Sequence, residues 1–415
     1  MMKKVYLCID LKTFFASCEC SERHLDPFKT NLVVADPTRG NGALCLAITP
    51  QMKSMGIHNR CRIFEIPKGV EYITAMPRMH LYMEYSARIY RIYCRYVSPD
   101  DIHVYSIDEC FIDITSYMHL YHKSAKMLMQ AVFADTHITA TCGIGTNLYL
   151  AKVALDIISK HTKENIGILD EERYQKYLWH HLPITDFWHM GSGTANHLLK
   201  LGVVDMHGIT QIPEEILYKE FGINAEYIIY HAWGREPATI ASIKKYRPKN
   251  ESINNSQVLF SDYEYEDAIL VVKEMVELNV LRLVESRLVT NHISLYIGYS
   301  RTDGGGWAGG SRKLTVRTNS LSVLMDAFIS IYHLKVQKGR LIGQISISFG
   351  DVLDEAYESY DLFSDIEALE EEKKLQKAIV SIRHKYGKNA ILKLMNKQEK
   401  ATTEKRNTLI GGHNA

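Results

Sequence analysis

The sequence predicts a multidomain α+β protein. Three observations predict it. The chain has 415 residues, more than one small core organises, so about three or four domains are expected. Strands and helices alternate through roughly the first 165 residues. Between Ser256 and Phe349 the order becomes β-α-β-β-α-β, that of a ferredoxin-like module.

Val5–Asp10 is a short apolar strand; Asp10 breaks the apolar run, which argues against a signal peptide. A helix follows from about Phe14 to His24. Leu32–Ala35 and Ala43–Ile48 read as strands around the turn Asp36–Gly42. Thr49–Gly56 reads as a short helix, with Thr49 as cap, Pro50 in the first position and Gly56 at the end. His80–Val97 has tyrosine and other apolar residues at helical spacing. Lys123–Thr136 reads as a helix, Ile138–Gly143 as a strand and Asn147–Ser159 as a helix. A small insertion, about residues 30–76, interrupts this α+β region.

From about Leu182 to Trp233 the pattern is helical, with Gly191-Ser192-Gly193 opening one helix. The charged stretch Lys244–Glu251, which contains Pro248, reads as a linker. Strand Ser256–Phe260, helix Glu266–Ser286, strands His292–Tyr299 and Ser311–Arg317, helix Ser320–Tyr332 and strand Ile342–Phe349 follow. Asp303–Gly310 reads as a glycine-rich hairpin tip. A charged helix, Leu369–Tyr386, stops at Gly387, and a polar tail completes the chain.

Hydrophobic residues make up 46% and charged residues 23%, ordinary for a globular chain. No apolar run approaches the ~20 residues that cross a bilayer. The net charge is only +1, so a nucleic-acid binder of this composition must concentrate positive charge locally. Eight cysteines include no CxxC pair and read as reduced thiols of a cytosolic protein, with no structural zinc.

The stretch Val104–Asp113, VYSIDECFID, sets Asp108 beside Glu109 between apolar residues. Adjacent carboxylates repel and are costly to desolvate. Strand alternation forbids both from facing one side, but the two-residue tip of a hairpin lets them converge. Asp10 ends a separate strand, so two neighbouring strands bring three carboxylates to one sheet edge. Hard oxygen donors with no histidine or cysteine favour Mg²⁺, and two such ions activate a hydroxyl and stabilise a leaving pyrophosphate. Asp113 faces differently along the hairpin and reads as structural or solvated. On spacing alone, an exposed Asp108-Glu109 turn with Asp10 as a helix cap is the favoured reading.

The paired motifs CIDLKTFFASCE and YSIDECFIDIT resemble the two catalytic motifs of Y-family DNA polymerases, and the order of segments resembles theirs over nearly the whole chain. TPQMKSMGI and the tail NTLIGGHNA are most similar to UmuC-like members from Gram-positive bacteria and their mobile elements. The resemblance implies a right-hand polymerase. Its palm would be residues 1–29 and 77–168, its fingers 30–76 and its helical thumb, with a helix-hairpin-helix, 169–240. A linker (241–249), a ferredoxin-like little finger (250–355) and a C-terminal helix and tail (356–415) would follow.

The same resemblance implies template-directed, low-fidelity synthesis past damaged bases. Two Mg²⁺ ions would be held by Asp10, Asp108, Glu109 and the carbonyl of Leu11. Phe15 would be a steric gate against ribonucleotides, with Phe14 in the core. Lys53 and Lys160 would meet the triphosphate; many members carry arginine at the site of Lys53 and a tyrosine shortly before it, where this chain has Thr49-Pro50. Backbone N–H groups at Gly191 and Gly193 would hold a DNA phosphate. Basic residues of the last module and its linker would follow the DNA backbone: Lys244, Lys245, Arg247, Lys249, Arg301, Arg312, Lys313, Arg317, Lys338 and Arg340. Ser359–Phe363 looks like a sliding-clamp peptide without its leading glutamine, or else a hydrophobic anchor between domains. Val258–Tyr263 reads as a strand and not a second such peptide. A UmuD-like accessory protein is a further implied partner. The rival expectations are a palm-type nucleotidyl cyclase and a non-catalytic damage-response protein that binds primer ends.

Overall fold

The computed structural model describes residues 4–117, 121–248, 251–362 and 364–414. The chain forms two compact units with their boundary between Tyr246 and Arg247. Lys249 and Phe363, both named above, lie outside the described residues.

The first unit begins with β1 (Tyr6–Leu11), α1 (Phe14–Glu22), β2 (Leu32–Val34), β3 (Ala47–Ile48), α2 (Pro50–Ser54) and β4 (Ile73–Ala75). It continues with α3 (Met79–Tyr93), β5 (Ile102–Val104), β6 (Glu109–Asp113), α4 (Tyr121–Thr136), β7 (Ala140–Gly145), α5 (Leu148–Val153) and β8 (Ile166–Leu169). Five of these strands form one sheet, in the order β5-β6-β1-β7-β8, antiparallel except for β7 with β8. Strand β1 is central because it is apolar on both faces. Leu7, Ile9 and Leu11 join the core under α1, α3 and α4, whereas Tyr6 and Cys8 pack with Leu148, Ala151 and Leu155. Glycines let α5 lie directly on β7: a Cβ at Gly143 would stand 2.0 Å from the Ala151 carbonyl oxygen.

The insertion has its own sheet, β3-β2-β4, and its own core of Val33, Cys45, Ile48, Met52 and Ile57. Leu32 and Val34 point the other way, into the main core, and so fasten the insertion to it. A helical segment follows: α6 (Glu171–Leu178), α7 (Ser192–Lys200), α8 (Met206–Thr210), α9 (Glu214–Phe221), α10 (Ala225–Ala232) and α11 (Ile240–Lys245).

The second unit comprises β9 (Glu251–Tyr263), α12 (Tyr265–Ser286), β10 (Leu288–Tyr299), β11 (Trp307–Thr318), α13 (Leu321–Lys335), β12 (Ile342–Asp354), α14 (Ile366–Tyr386) and α15 (Thr403–Arg406). The element order is the expected split β-α-β arrangement; in space the strands run β9-β12-β10-β11, all antiparallel. Val258–Tyr263 is indeed part of β9. The tail returns to α12, where the buried Glu274 accepts hydrogen bonds from Asn396, the Thr402 N–H and hydroxyl, and the Thr403 N–H. These bonds compensate the burial of its charge.

Several local expectations change. Thr49 does not cap α2, because its hydroxyl donates to the Thr30 carbonyl and accepts from the Leu32 N–H. The helix expected over Asn147–Ser159 is α-helical only to Val153 and then opens into a π-turn, Ala154–Ile158. The expected linker is helical through Lys245, since Thr239 caps α11 and Ile240 is buried. The glycine-rich tip is shorter than expected. Strand β11 already starts at Trp307, and Gly309, at φ +138°, sits 2.0 Å (from its would-be Cβ) from the Leu295 carbonyl oxygen. Among the described residues no helix is long and apolar enough to cross a membrane.

Candidate active site

Antiparallel register places Asp10 opposite Glu109, Cys8 opposite Phe111 and Tyr6 opposite Asp113. Cross-strand partners share a face, so Asp10 and Glu109 point to the same side. The connection from β5 to β6 is Tyr105–Asp108, and Glu109 is the first residue of the strand rather than half of a two-residue tip. Asp108 is therefore outside the strand and free of its alternation. The Leu11 N–H donates to the Asp108 carbonyl (3.0 Å), and Ser106 donates to Oδ1 of Asp108 (2.6 Å). Asp113 shares the face of Glu109, contrary to expectation, but lies at the far end of the strand. There it accepts the Thr115 N–H at 2.9 Å and has a structural role.

Each carboxylate responds differently to crowding. Burial, then the charges of Asp108 and Glu109, push the Asp10 carboxyl up to about 7. Glu109 accepts from Lys152 Nζ at 2.9 Å and from the Cys8 thiol at 3.1 Å. Lys152 also reaches Asp156 at 3.1 Å, one helical turn further on. Burial opposes the charge on Lys152, but Asp156 and Glu109 outweigh it and raise the ammonium. Burial and Glu109 hold the Cys8 thiol protonated, which leaves oxygen atoms as the available donors. The oxygens of Asp10, Asp108 and Glu109 do not all lie within 4.8 Å of one another.

Lys152 was not singled out in the sequence. Its signal was present: a lysine inside the apolar run Leu148–Leu155 with an aspartate four residues later. The Tyr105–Asp108 connection is also braced, because Trp188 Nε1 donates to the Tyr105 hydroxyl at 3.1 Å.

Phe14 is buried in the core, whereas the half-buried Phe15 stacks on Tyr82 with centroids 4.5 Å apart. Tyr82 is pinned from behind: its hydroxyl donates to the buried Glu19 at 2.8 Å, and Arg78 holds Glu19 at 2.9 and 2.7 Å. The Phe15 ring is thus supported by a charge-assisted network. Lys53 stands in the last turn of α2, not the first as Pro50 suggested. Burial lowers the Lys53 ammonium; Asp10 opposes that, while Lys160 and Lys12 add to it, so these groups share one neighbourhood. Lys12, held to Asn165 at 2.5 Å, was not foreseen.

Gly191 is the N-cap of α7, without a side-chain cap, and Gly193 lies in its first turn; open space faces both. Neither has the positive φ that demands glycine. In the second unit, Arg312 pairs with the buried Ile293, which puts it on the helix-covered side of the sheet at the edge. Alternation places Lys313 on the open side, opposite His292 and beside Ser311 and Ser294. The guanidinium of Arg317 donates to the Asp351 carbonyl. Arg340 is bound to Asp303 and Gly305, and Lys244 to the Pro99 carbonyl. Several of the expected DNA cations thus have intramolecular partners.

The impB/mucB/samB family model matches residues 9–156. The "Putative UV-damage repair protein UvrX" of Bacillus subtilis (strain 168) is 31% identical, over 99% of this chain and 98% of that protein. "DNA polymerase IV 2" of the same strain is 27% identical over 100% of this chain and 99% of its own. The solved "Y-family DNA polymerase chimera Dbh-Dpo4(243-245)-Dbh" superposes with a TM-score of 0.64 at 19% identity, covering 84% of this chain and 99% of the chimera.

The raised Asp10 carboxyl has a stability consequence. Between the ordinary value of about 3.9 and its folded value, the native state holds a proton that the unfolded chain releases. Stability without divalent cations therefore falls as pH rises from about 4 to about 7, by a few kcal/mol. Asp10→Asn is expected to remove this dependence and raise the Tm at pH 8 by several degrees, as followed by calorimetry. Parallel pH profiles for the two proteins would refute the assignment.

Proposed function

The chain belongs to the impB/mucB/samB family of Y-family DNA polymerases, and we propose that it extends a primer on a DNA template, including past damaged bases. The single observation that carries this reading is the joining of Asp10 and Glu109 across β1 and β6, with Asp108 beside them. The named polymerase relatives match along their whole length, which favours this reading over a cyclase or a non-catalytic primer binder.

The donor set fits Mg²⁺: three carboxylates, the Leu11 carbonyl at the end of β1, and a neighbouring thiol held protonated. Asp10, Asp108, Glu109 and Leu11 would hold two ions. When bound, such ions lower the pKa of the attacking hydroxyl and neutralise the leaving pyrophosphate. Lys152 orients Glu109 and partly offsets the charge of the cluster. Lys53, Lys160 and Lys12 offer point charges to the triphosphate. The braced ring of Phe15 fills the space that a ribose 2′-hydroxyl would need.

We assign residues 1–29 and 77–168 to the palm, 30–76 to the fingers, 169–246 to the thumb, 247–355 to the little finger and 356–415 to the C-terminal helix and tail. The thumb boundary now follows the end of α11. The unpaired first N–H groups of α7, at Gly191 and Gly193, suit a DNA phosphate. The open face of the little finger carries Ser294, Ser311, Lys313, Ser346 and Ser348, a polar surface for the sugar–phosphate backbone.

Primer extension with Mg²⁺ tests the function. The purified chain is expected to extend primers on undamaged and abasic templates, and Asp108→Ala to lose at least a thousandfold in rate. Equal extension by the variant would end the polymerase reading. Activity of the chain alone would also show that no UmuD-like accessory protein is required.

Phe15→Ala is expected to admit ribonucleotides, with discrimination falling at least tenfold. Tyr82→Leu, which removes the ring beneath Phe15, should relax it in the same direction but less. Unchanged deoxyribonucleotide preference in both would remove Phe15 from this role.

Ser359 is tied to Arg317 of β11, while Leu362 is 99% exposed and packs on nothing in its own unit. That exposure favours a sliding-clamp peptide over a buried anchor. Leu362→Ala is expected to abolish clamp-stimulated synthesis and leave unstimulated synthesis intact; full stimulation of the variant would count against the assignment.

A further inference from the structure

A second group of metal-ligating side chains lies in the helical segment, away from the carboxylates. His180, just beyond the end of α6, places Nδ1 2.8 Å from Oδ2 of Asp205. Asp205 caps α8, and its other oxygen accepts the Gly208 N–H at 2.7 Å. The cap fixes the carboxylate and leaves Oδ2 turned to His180. His207, within α8, lies against His180 with ring centroids 4.9 Å apart. One ligand atom from each of the three residues lies within 4.8 Å of the other two. Among the described residues no other trio of histidine, cysteine, aspartate or glutamate does so. The pairs His181–Asp186, His197–Glu220 and His384–Glu285 show what an ordinary histidine–carboxylate contact looks like here, and none belongs to such a trio.

The backbone holds the ligands in place. The His207 N–H donates to the Trp179 carbonyl at 3.1 Å, which fixes His180 and His207 in register. Trp179 is itself anchored, with Nε1 donating to the Ala232 carbonyl at 2.8 Å and its ring packed against His207 and Trp233. Zinc–ligand bonds of about 2.0–2.2 Å set tetrahedral ligands roughly 3.4 Å apart.

We propose that His180, Asp205 and His207 form a zinc site, with a fourth position open to water. Two imidazoles and one carboxylate suit Zn²⁺ better than the hard cations that oxygen-only sites select. The cysteines gave no reason to expect zinc, and this site uses none of them. Its two ends bracket residues 181–204, the stretch that contains α7 and the Gly191-Ser192-Gly193 start. A bound ion therefore closes that stretch into a cross-linked loop and restricts its motion. The site stands independently of the polymerase reading.

The test is calorimetric titration of the full chain with Zn²⁺ after chelator treatment, with excess Mg²⁺ present to occupy the oxygen-donor site. One Zn²⁺ per chain is expected. His180→Gln and His207→Gln should each weaken binding at least tenfold. Asp205→Asn should do the same while keeping the helix cap, since asparagine caps as well as aspartate. Substituted Co²⁺ should give the spectrum of a nitrogen–oxygen site with no thiolate band. Absence of stoichiometric binding, undiminished wild-type affinity in the three variants, or a thiolate band would overturn the proposal.

Discussion

Mutual repulsion of carboxylates at one end of the inner β1–β6 strand pair is the constraint that the site's surroundings answer. Asp10 and Glu109 are forced onto one face by the β1–β6 register, and Asp108 follows from the connection just before β6. Such a cluster destabilises the fold unless positive charge offsets it. Part of the offset is internal, because Lys152 on α5 reaches Glu109 and Asp156 together. It can do so only because glycines at 143 and 145 let α5 lie flat on β7. The close strand–helix packing, the buried lysine and the acidic edge are thus one device.

The surroundings of that edge are stiff where chemistry needs a fixed shape. Phe15 rests on Tyr82, Tyr82 on Glu19, and Glu19 on Arg78. Tyr105, three residues before Asp108, is held by Trp188 from the helical segment. A displacement in either support would move a side chain at the site, so the residues behind Phe15 and Tyr105 help to set its shape. The asymmetry is physical: charged groups repel and relax, whereas packed rings do not.

The long elements were legible in the sequence because their apolar period is strong. Strand β1, α3, α12 and β10 stand within a few residues of where spacing put them. The meeting of Asp10 with Glu109 was legible because the two motifs are short and contiguous and lie on strands that pair. What escaped depends on contacts between distant residues. Thr49 abandons its cap for a carbonyl 19 residues away. Arg312 and Lys313, both expected to follow DNA, face opposite sides because the strand register, which shifts between Thr290 and His292, fixes which of two neighbours faces out. Tyr82 and Lys12 meet partners that no local pattern reveals, whereas the apolar run around Lys152 did carry a local signal.

The central claim is that Asp10, Asp108 and Glu109 jointly hold metal at this edge. A crystal structure with primer–template DNA, an incoming non-reactive deoxynucleotide and Mg²⁺ tests it most directly. The account predicts two ions, with oxygens of all three side chains and the Leu11 carbonyl at about 2.1 Å from them. Ions seated elsewhere, with Glu109 still paired only to Lys152 and Cys8, would contradict it.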